Sequence, residues 1–333
     1  MLTFHIPGER AVQPTDLASC QALSRRAVWI DLLNPTKEEE RAVEAALGEE
    51  VPTQDEMDSL EPSSRLYQEK EALFMTATLL APSDTARPKS TAVSFILTPE
   101  RLVTVRYETA AAFQVFAARR DAKPAEYETA LKVFTGLLDA VVEELAEVLE
   151  KTGAGIEELS QDVLSDEVLG EKSPRRPPRP LQADFKRTLG RIGRKSDLAS
   201  RARESVVTLS RLVTFYREVA KVEARLAPAN AHLKAIGDDL ASLGDHATFL
   251  SGKVSFLLDA TLGLINNEQN GIIKIFSVAA VVFLPPTLVA SIYGMNFHHI
   301  PELGWPWGYP MALVLMVVSA VLPYALFRRK GWL

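Results

Sequence analysis

Two runs near the end of this chain constrain its fold more than any other feature. From Ile272 to Tyr293 the only charge is Lys274, close to the start, and 22 residues at about 1.5 Å each reach roughly 33 Å against a hydrocarbon core of about 30 Å. Tyr309 to Phe327 adds 19 residues with no charge at all. Two such runs joined by a short loop are hard to bury in a water-soluble fold, so the pattern predicts a transmembrane hairpin. After Asn270 only Lys274, Glu302, Arg328, Arg329 and Lys330 carry a fixed charge, whereas 24% of the whole chain is charged. A soluble domain followed by a membrane domain is therefore expected.

Orientation follows from the flanks. Arg328, Arg329 and Lys330 close the second run, while the loop from Asn296 to Gly308 holds only Glu302 as a fixed charge, so both termini are expected on the inner side of the plasma membrane. The opening MLTFHIPGERAVQP lacks the basic, apolar and small-residue progression of a cleavable signal, which keeps the soluble domain in the cytoplasm. Cys20 is the only cysteine, so no intrachain disulfide can form.

The soluble part changes character along its length. β-prone runs stand at 2–6, 28–33, 72–80, 92–97 and 101–107, separated by helical patterns. Pro35-Thr36 before Lys37-Glu38-Glu39-Glu40, and Pro52-Thr53 before Gln54-Asp55-Glu56, each read as a helix start with acids at the positive end of the dipole. Thr98-Pro99-Glu100 reads as a tight hairpin connection. Beyond about residue 108 helical periodicity takes over. Leu131, Phe134, Leu138, Val141, Val142, Leu145, Val148 and Leu149 form one apolar stripe. SPRRPPRP (173–180) reads as a solvated turn between long antiparallel helices rather than a nucleic-acid patch, and no nucleic-acid partner is expected. Pro228 ends or restarts the second helix, after which one helix can run into the membrane; its glycines, Gly237, Gly244, Gly252, Gly263 and Gly271, mark possible hinge points.

On that helix, with Asn270 as zero and 100° per residue, Ile273, Ser277, Ala280, Leu284, Thr287 and Ser291 fall within one arc of about 100°. Small and polar groups gathered on one side suit a close helix–helix contact in lipid, and they equally suit the wall of a hydrated path. Two helices enclose no lumen. A conduit therefore needs several copies, and Asn270 and Asn296 would then each become one member of a ring of neutral oxygen ligands.

YGMNF (293–297) with PEL (301–303), FLPPTLVAS (283–291), INNEQNGIIKIFS (265–277) and FRRKGWL (327–333) resemble the CorA family of divalent-cation channels, the magnesium and cobalt transporters. WIDLLNPTKEE (29–39), PTQDEMDSLEPSSRLY (52–67) and FILTPERLVTVRY (95–107) are similar to its cytoplasmic domain. The resemblance implies a homopentameric funnel in the membrane lipid. It would be built from an α+β cytoplasmic domain (an αβα sandwich, 1–125), long antiparallel helices (126–230), a stalk helix (231–271) and a first transmembrane pore helix (272–293). An outer loop (294–308), a second transmembrane helix (309–327) and a basic tail (328–333) would follow. It also implies that Gly294, Met295 and Asn296 form the selectivity filter, that Asn270 guards the inner entrance, that Leu284 and Thr287 line the pore, and that Arg328 to Lys330 belong to a basic collar.

The implied cargo is Mg²⁺, with Co²⁺ and Ni²⁺ beside it, and Mg²⁺ is implied as the regulatory ion as well. Mg²⁺ dehydrates reluctantly, so a fast path must read its hydrated form through outer hydrogen bonds, which neutral oxygens accept without trapping the ion. His298-His299 stand where many relatives carry an acid, leaving Glu302 to attract cations, and Met295 argues against the proton-coupled zinc-transporting branch. The regulatory carboxylate of well-known relatives falls on Ala235, so Asp238, Asp239 and Asp245 are the candidates for that site. A membrane-tethered enzyme is not expected: the soluble part shows no nucleophile elbow, phosphate loop or metal-ligand cluster, and His5, His232 and His246 lie far apart. No organic cofactor is expected.

Overall fold

The computed structural model describes residues 1–14, 17–59, 61–81, 89–168, 181–296 and 300–330. The expected turn at 173–180, His298, His299 and the last three tail residues lie outside the described residues. The chain divides into two compact units, Met1–Leu258 and Asp259–Leu333.

The first unit is built on one six-stranded sheet in the order β1-β2-β6-β5-β4-β3. Its strands are β1 (Leu2–His5), β2 (Trp29–Leu33), β3 (Leu66–Glu69), β4 (Ala72–Ala81), β5 (Lys89–Leu97) and β6 (Leu102–Arg106). Only β2 and β6 pair in parallel; the other neighbours are antiparallel. Side chains alternate faces along a strand, and here both faces are dry. Leu73, Met75, Ala77 and Leu79 of β4 and Val93, Phe95 and Leu97 of β5 join one core, while Phe74, Ile96, Val103 and Val105 join the other. The first core is completed by α5 (Ala111–Ala122), α6 (Ala130–Val168), α7 (Leu181–Val219) and the start of α8 (Ala227–Tyr293). The second is completed by α1 (Leu17–Arg26), α2 (Lys37–Leu47) and α3 (Gln54–Asp58).

Local chemistry fixes the helix starts. Thr36 and Thr53 each cap a helix, and in both cases the acid three residues on, Glu39 or Glu56, reaches back to the cap's backbone N–H. Strand β3 is not among the β-prone runs that the sequence predicts. It is a four-residue edge strand, reached through α4 (Pro62–Arg65), and its two-residue turn places Lys70, not a glycine, at φ 48°. Thr98 closes the β5–β6 hairpin, its backbone N–H donating to the Arg101 carbonyl at 3.0 Å.

A buried polar network lies across β2, β6 and α5. Arg106 donates to Asp31 through Nε (3.1 Å) and NH2 (2.7 Å), and Thr104 Oγ1 donates to the same carboxylate at 2.7 Å. Trp29 Nε1 in turn donates to Thr104 Oγ1 at 2.9 Å, and the Arg106 guanidinium sits 4.5 Å above the Phe113 ring. His5 stacks on Trp29 with centroids 4.0 Å apart. Burial, reinforced by the Arg120 charge, lowers its pKa to about 4.

The apolar stripe expected on α6 is the buried one, with Phe134, Leu138, Val141, Leu145 and Leu149 in the core. Pro228 restarts rather than ends: α8 begins at Ala227, and Tyr216 donates its hydroxyl to the Leu226 carbonyl at 2.9 Å to hold the connection. The glycines expected as hinges do not break α8. Gly237 and Gly244 sit instead where Val213 and Val206 of α7 come within 3.5 and 3.4 Å of the position a Cβ would take.

The second unit contains the rest of α8, a short turn at Pro301–Gly304 and α9 (Gly308–Arg329). Both helices are long and apolar enough to cross a membrane. Ile275, Phe276, Phe283 and Leu284 of α8 and Val314 and Val317 of α9 are exposed on the single chain, a density of apolar surface that water would penalise. Lipid or further copies of the chain must cover it.

Candidate ion-conduction site

Asn270, Ile273, Ser277, Ala280, Leu284, Thr287 and Ser291 all lie within the single helix α8, and all are exposed. Ser277 donates to the Ile273 carbonyl at 2.8 Å and Thr287 to the Phe283 carbonyl at 2.7 Å. Each hydroxyl proton is thus satisfied inside the helix, while the oxygen lone pairs stay open. Such oxygens can accept hydrogen bonds from water, including water held by a cation.

Outside this arc stand Pro285 and Pro286, which the helix accommodates without interruption. Proline has no N–H. The Val282 carbonyl would normally bond the N–H of residue 286, or of residue 285 in a tighter turn, and both are proline. It therefore has no donor at either helical spacing, in the middle of a span where water is scarce. The helix is weakest there. The consequence of the Pro285-Pro286 dipeptide for Val282 arises because one continuous helix runs through it.

α8 ends at Tyr293. Gly294 closes the last turn, its N–H donating to the Ala290 carbonyl at 2.9 Å, and a Cβ there would stand 3.0 Å from that same oxygen. Met295 N–H reaches the Ile292 carbonyl at 3.3 Å, and Gly294, Met295 and Asn296 are exposed. Across the loop, Trp305 N–H donates to the Glu302 carbonyl at 3.2 Å and Gly308 N–H to the Trp305 carbonyl at 3.0 Å. Gly308 is packed so closely that a Cβ would fall 2.2 Å from the Glu302 oxygen. No signal short of the loop's fold marks that contact.

At the other end of α9, Arg328, Arg329 and Lys330 are exposed and make no ion pair with a described residue. Asp238, Asp239 and Asp245 are exposed on the first part of α8. Among the described residues no group of three or more His, Cys, Asp or Glu could hold a metal ion, so one chain does not bring these aspartates into a cluster. His232 pairs with Asp139 at 2.8 Å, and His246 stacks beside Phe249.

The family model described as CorA-like Mg²⁺ transporter protein matches residues 24–329. The chain belongs to this family. Magnesium transport protein CorA of Pasteurella multocida is 35% identical over 309 residues, covering 92% of each chain, and that of Escherichia coli is 33% identical with the same coverage. Among solved structures, the complete CorA magnesium transporter of Methanocaldococcus jannaschii aligns with a TM-score of 0.65 at 17% identity, covering 100% of this chain and 98% of its own. The cytoplasmic domain of ZntB from Vibrio parahaemolyticus aligns with a TM-score of 0.53 at 11% identity, over 80% of this chain and 98% of its own. At these identities the two structures speak for the fold alone. CorA-family proteins are ion transporters rather than enzymes.

Proposed function

We propose that this protein carries Mg²⁺ across the plasma membrane, down its electrochemical gradient, through a pore formed by five copies of α8. The observation that carries the reading is a face of open oxygen acceptors on an otherwise apolar span that ends in Gly294-Met295-Asn296. In that reading Asn296 and the adjoining backbone carbonyls form an outer ring that accepts hydrogen bonds from the water shell of Mg²⁺. Neutral oxygens hold the hydrated ion weakly enough to release it. Ser291, Thr287, Ser277 and Asn270 continue the path inward past Leu284, Ala280 and Ile273.

Both termini face the cytoplasm, and Glu302 is the outer loop's fixed negative charge. A membrane potential supplies about 2.3 kcal/mol per elementary charge per 100 mV, twice that for a dication, so no chemical fuel is required. Co²⁺ and Ni²⁺, with similar hydrated shells, are secondary cargoes. Cytoplasmic Mg²⁺ closes the pore through Asp238, Asp239 or Asp245 at contacts between copies.

The test is uptake into vesicles holding the purified full chain. Mg²⁺ influx that follows the imposed potential and is lost in Asn296→Ala supports the channel. Proton-coupled Zn²⁺ uptake without Mg²⁺ flux would replace it with the zinc-transporter reading, and unchanged flux in Asn296→Ala would remove the filter assignment. Closure by internal Mg²⁺ that persists in Asp238→Ala, Asp239→Ala and Asp245→Ala variants would dismiss the regulatory assignment.

A further inference from the structure

The first unit contains a cavity of about 470 Å³ lined by none of the residues assigned to the conduction path. One wall is a single face of α7, where Ser200, Arg203, Glu204, Val207 and Arg211 recur at three- and four-residue spacing. The opposite wall includes Arg65, Leu66 and Thr76 from α4, β3 and β4. Three arginines from two walls therefore line one volume, and Glu204 is the one carboxylate among its described lining residues.

The cavity's frame is fixed by contacts on the chain itself. β3 pairs only with Ala72 to Met75, so the edge of β4 beyond Met75 is left without a strand neighbour on that side. α7 covers it: Thr208 Oγ1 accepts from the Thr78 N–H at 3.0 Å and donates to the Thr78 carbonyl at 3.3 Å. Arg65 is held at the same edge, its Nε donating to the Ser59 carbonyl at 2.5 Å and its NH1 to Thr78 Oγ1 at 3.2 Å. No hydrogen bond to a described residue engages its remaining nitrogen, NH2. Arg203 and Arg211 make no ion pair with a described residue, although Arg201 and Arg225 nearby each pair with an acid.

We propose that this cavity binds a phosphate-bearing metabolite, independently of the transport path. Guanidinium groups match phosphate oxygens in a planar, bidentate fashion and keep their charge at every physiological pH. Three of them against one carboxylate leave a net charge of +2 for a polyanion. Ser200 offers a further hydroxyl, Glu204 accepts from hydroxyls of the ligand, and Leu66 and Val207 form an apolar patch for a sugar or a base. The volume falls within the range of small-molecule sites, about 300–1,000 Å³.

Binding of ATP, ribose 5-phosphate and inorganic tripolyphosphate to the full chain in detergent, with EDTA present and at low salt, tests the proposal. At least one should bind saturably, weaken as salt is raised, and bind at least tenfold more weakly to Arg203→Gln/Arg211→Gln. Comparison of the three probes then identifies whether phosphates, sugar or base are recognised. Uptake of Mg²⁺ by the double variant without added phosphate compounds should match the unaltered protein. Failure of all three probes to bind would overturn the proposal, as would binding that survives in the double variant. A double variant whose oligomeric mass falls would assign the arginines to a contact with a second copy instead.

Discussion

Replacing Gly308 by alanine tests whether the geometry of the outer loop controls the mouth of the pore. The added Cβ would start 2.2 Å from the Glu302 carbonyl oxygen, and real Cβ contacts do not fall below about 3.0 Å, so the two must separate by about 0.8 Å. The obstacle is backbone, not the tip of a flexible side chain, and the same oxygen accepts from Trp305 N–H. Neither partner can swing aside by changing rotamer. Overpacking of this kind costs about 1–3 kcal/mol, enough to depopulate the native loop by about fivefold or more. Gly304 is the internal control, because a Cβ there meets nothing within 4 Å. Initial Mg²⁺ uptake into vesicles, normalised to reconstituted protein, should fall at least severalfold in Gly308→Ala and stay near normal in Gly304→Ala. Equal uptake in Gly308→Ala and the unaltered protein would refute the link between loop and filter, and equal damage in both variants would refute the contact as its cause.

Further outcomes follow from other parts of the chain. Asp31→Asn leaves the Arg106 guanidinium, 6% exposed, without its counter-charge; the loss should approach about 3–5 kcal/mol in a denaturant titration, and a loss below about 1 kcal/mol would contradict the buried-pair reading. His5 has a folded pKa of about 4 against 6.5 for the free side chain, so stability is intact above pH 6.5 and is lost as pH falls toward 4, by about 3 kcal/mol at most. His5→Gln should flatten that slope between pH 6.5 and 4, and an unchanged slope would assign it to other groups. Asn296→Asp should raise apparent Mg²⁺ affinity while slowing uptake, because carboxylates hold the ion too tightly; faster uptake would count against the neutral-ring argument. Pro286→Ala returns an N–H to the Val282 carbonyl and removes a helix penalty of about 3 kcal/mol, so uptake should slow if α8 flexes there and stay constant if it does not.

What was legible in the sequence depended on how strongly each environment selects residue types. β4 is buried along all ten residues and stands out as an apolar run, whereas β3, half-exposed at the edge and turning at Lys70 without glycine, resembles a loop. The helix starts at Thr36 and Thr53 could be read because a cap and its reciprocal acid lie three residues apart. The Asp31–Arg106 pair could not, since 75 positions separate partners that only the β2–β6 register brings together. Arg65 and Arg211 meet at one cavity for the same kind of reason. On α8 the reverse holds: lipid tolerates so few polar groups that Asn270, Ser277, Thr287 and Ser291 reveal a face by period alone.

The regulatory aspartates lack both kinds of signal. On a water-exposed helix an acid is the default residue, so Asp238, Asp239 and Asp245 say nothing by their presence, and among the described residues one chain gathers no set of three ligating side chains around them. Mg²⁺ asks for near-octahedral oxygen coordination, usually one or two carboxylates with water completing the shell. If these aspartates sense the ion, the remaining carboxylate must come from a neighbouring copy, and sensing then reports assembly. Regulation by internal Mg²⁺ and contact between copies along α8 thus become one claim. Crosslinking between cysteines introduced at the exposed Ser242, one turn from Asp238 and Asp239, and on the facing surface of the neighbouring copy should rise with Mg²⁺ and fall with chelator, and crosslinking indifferent to the ion would separate the two.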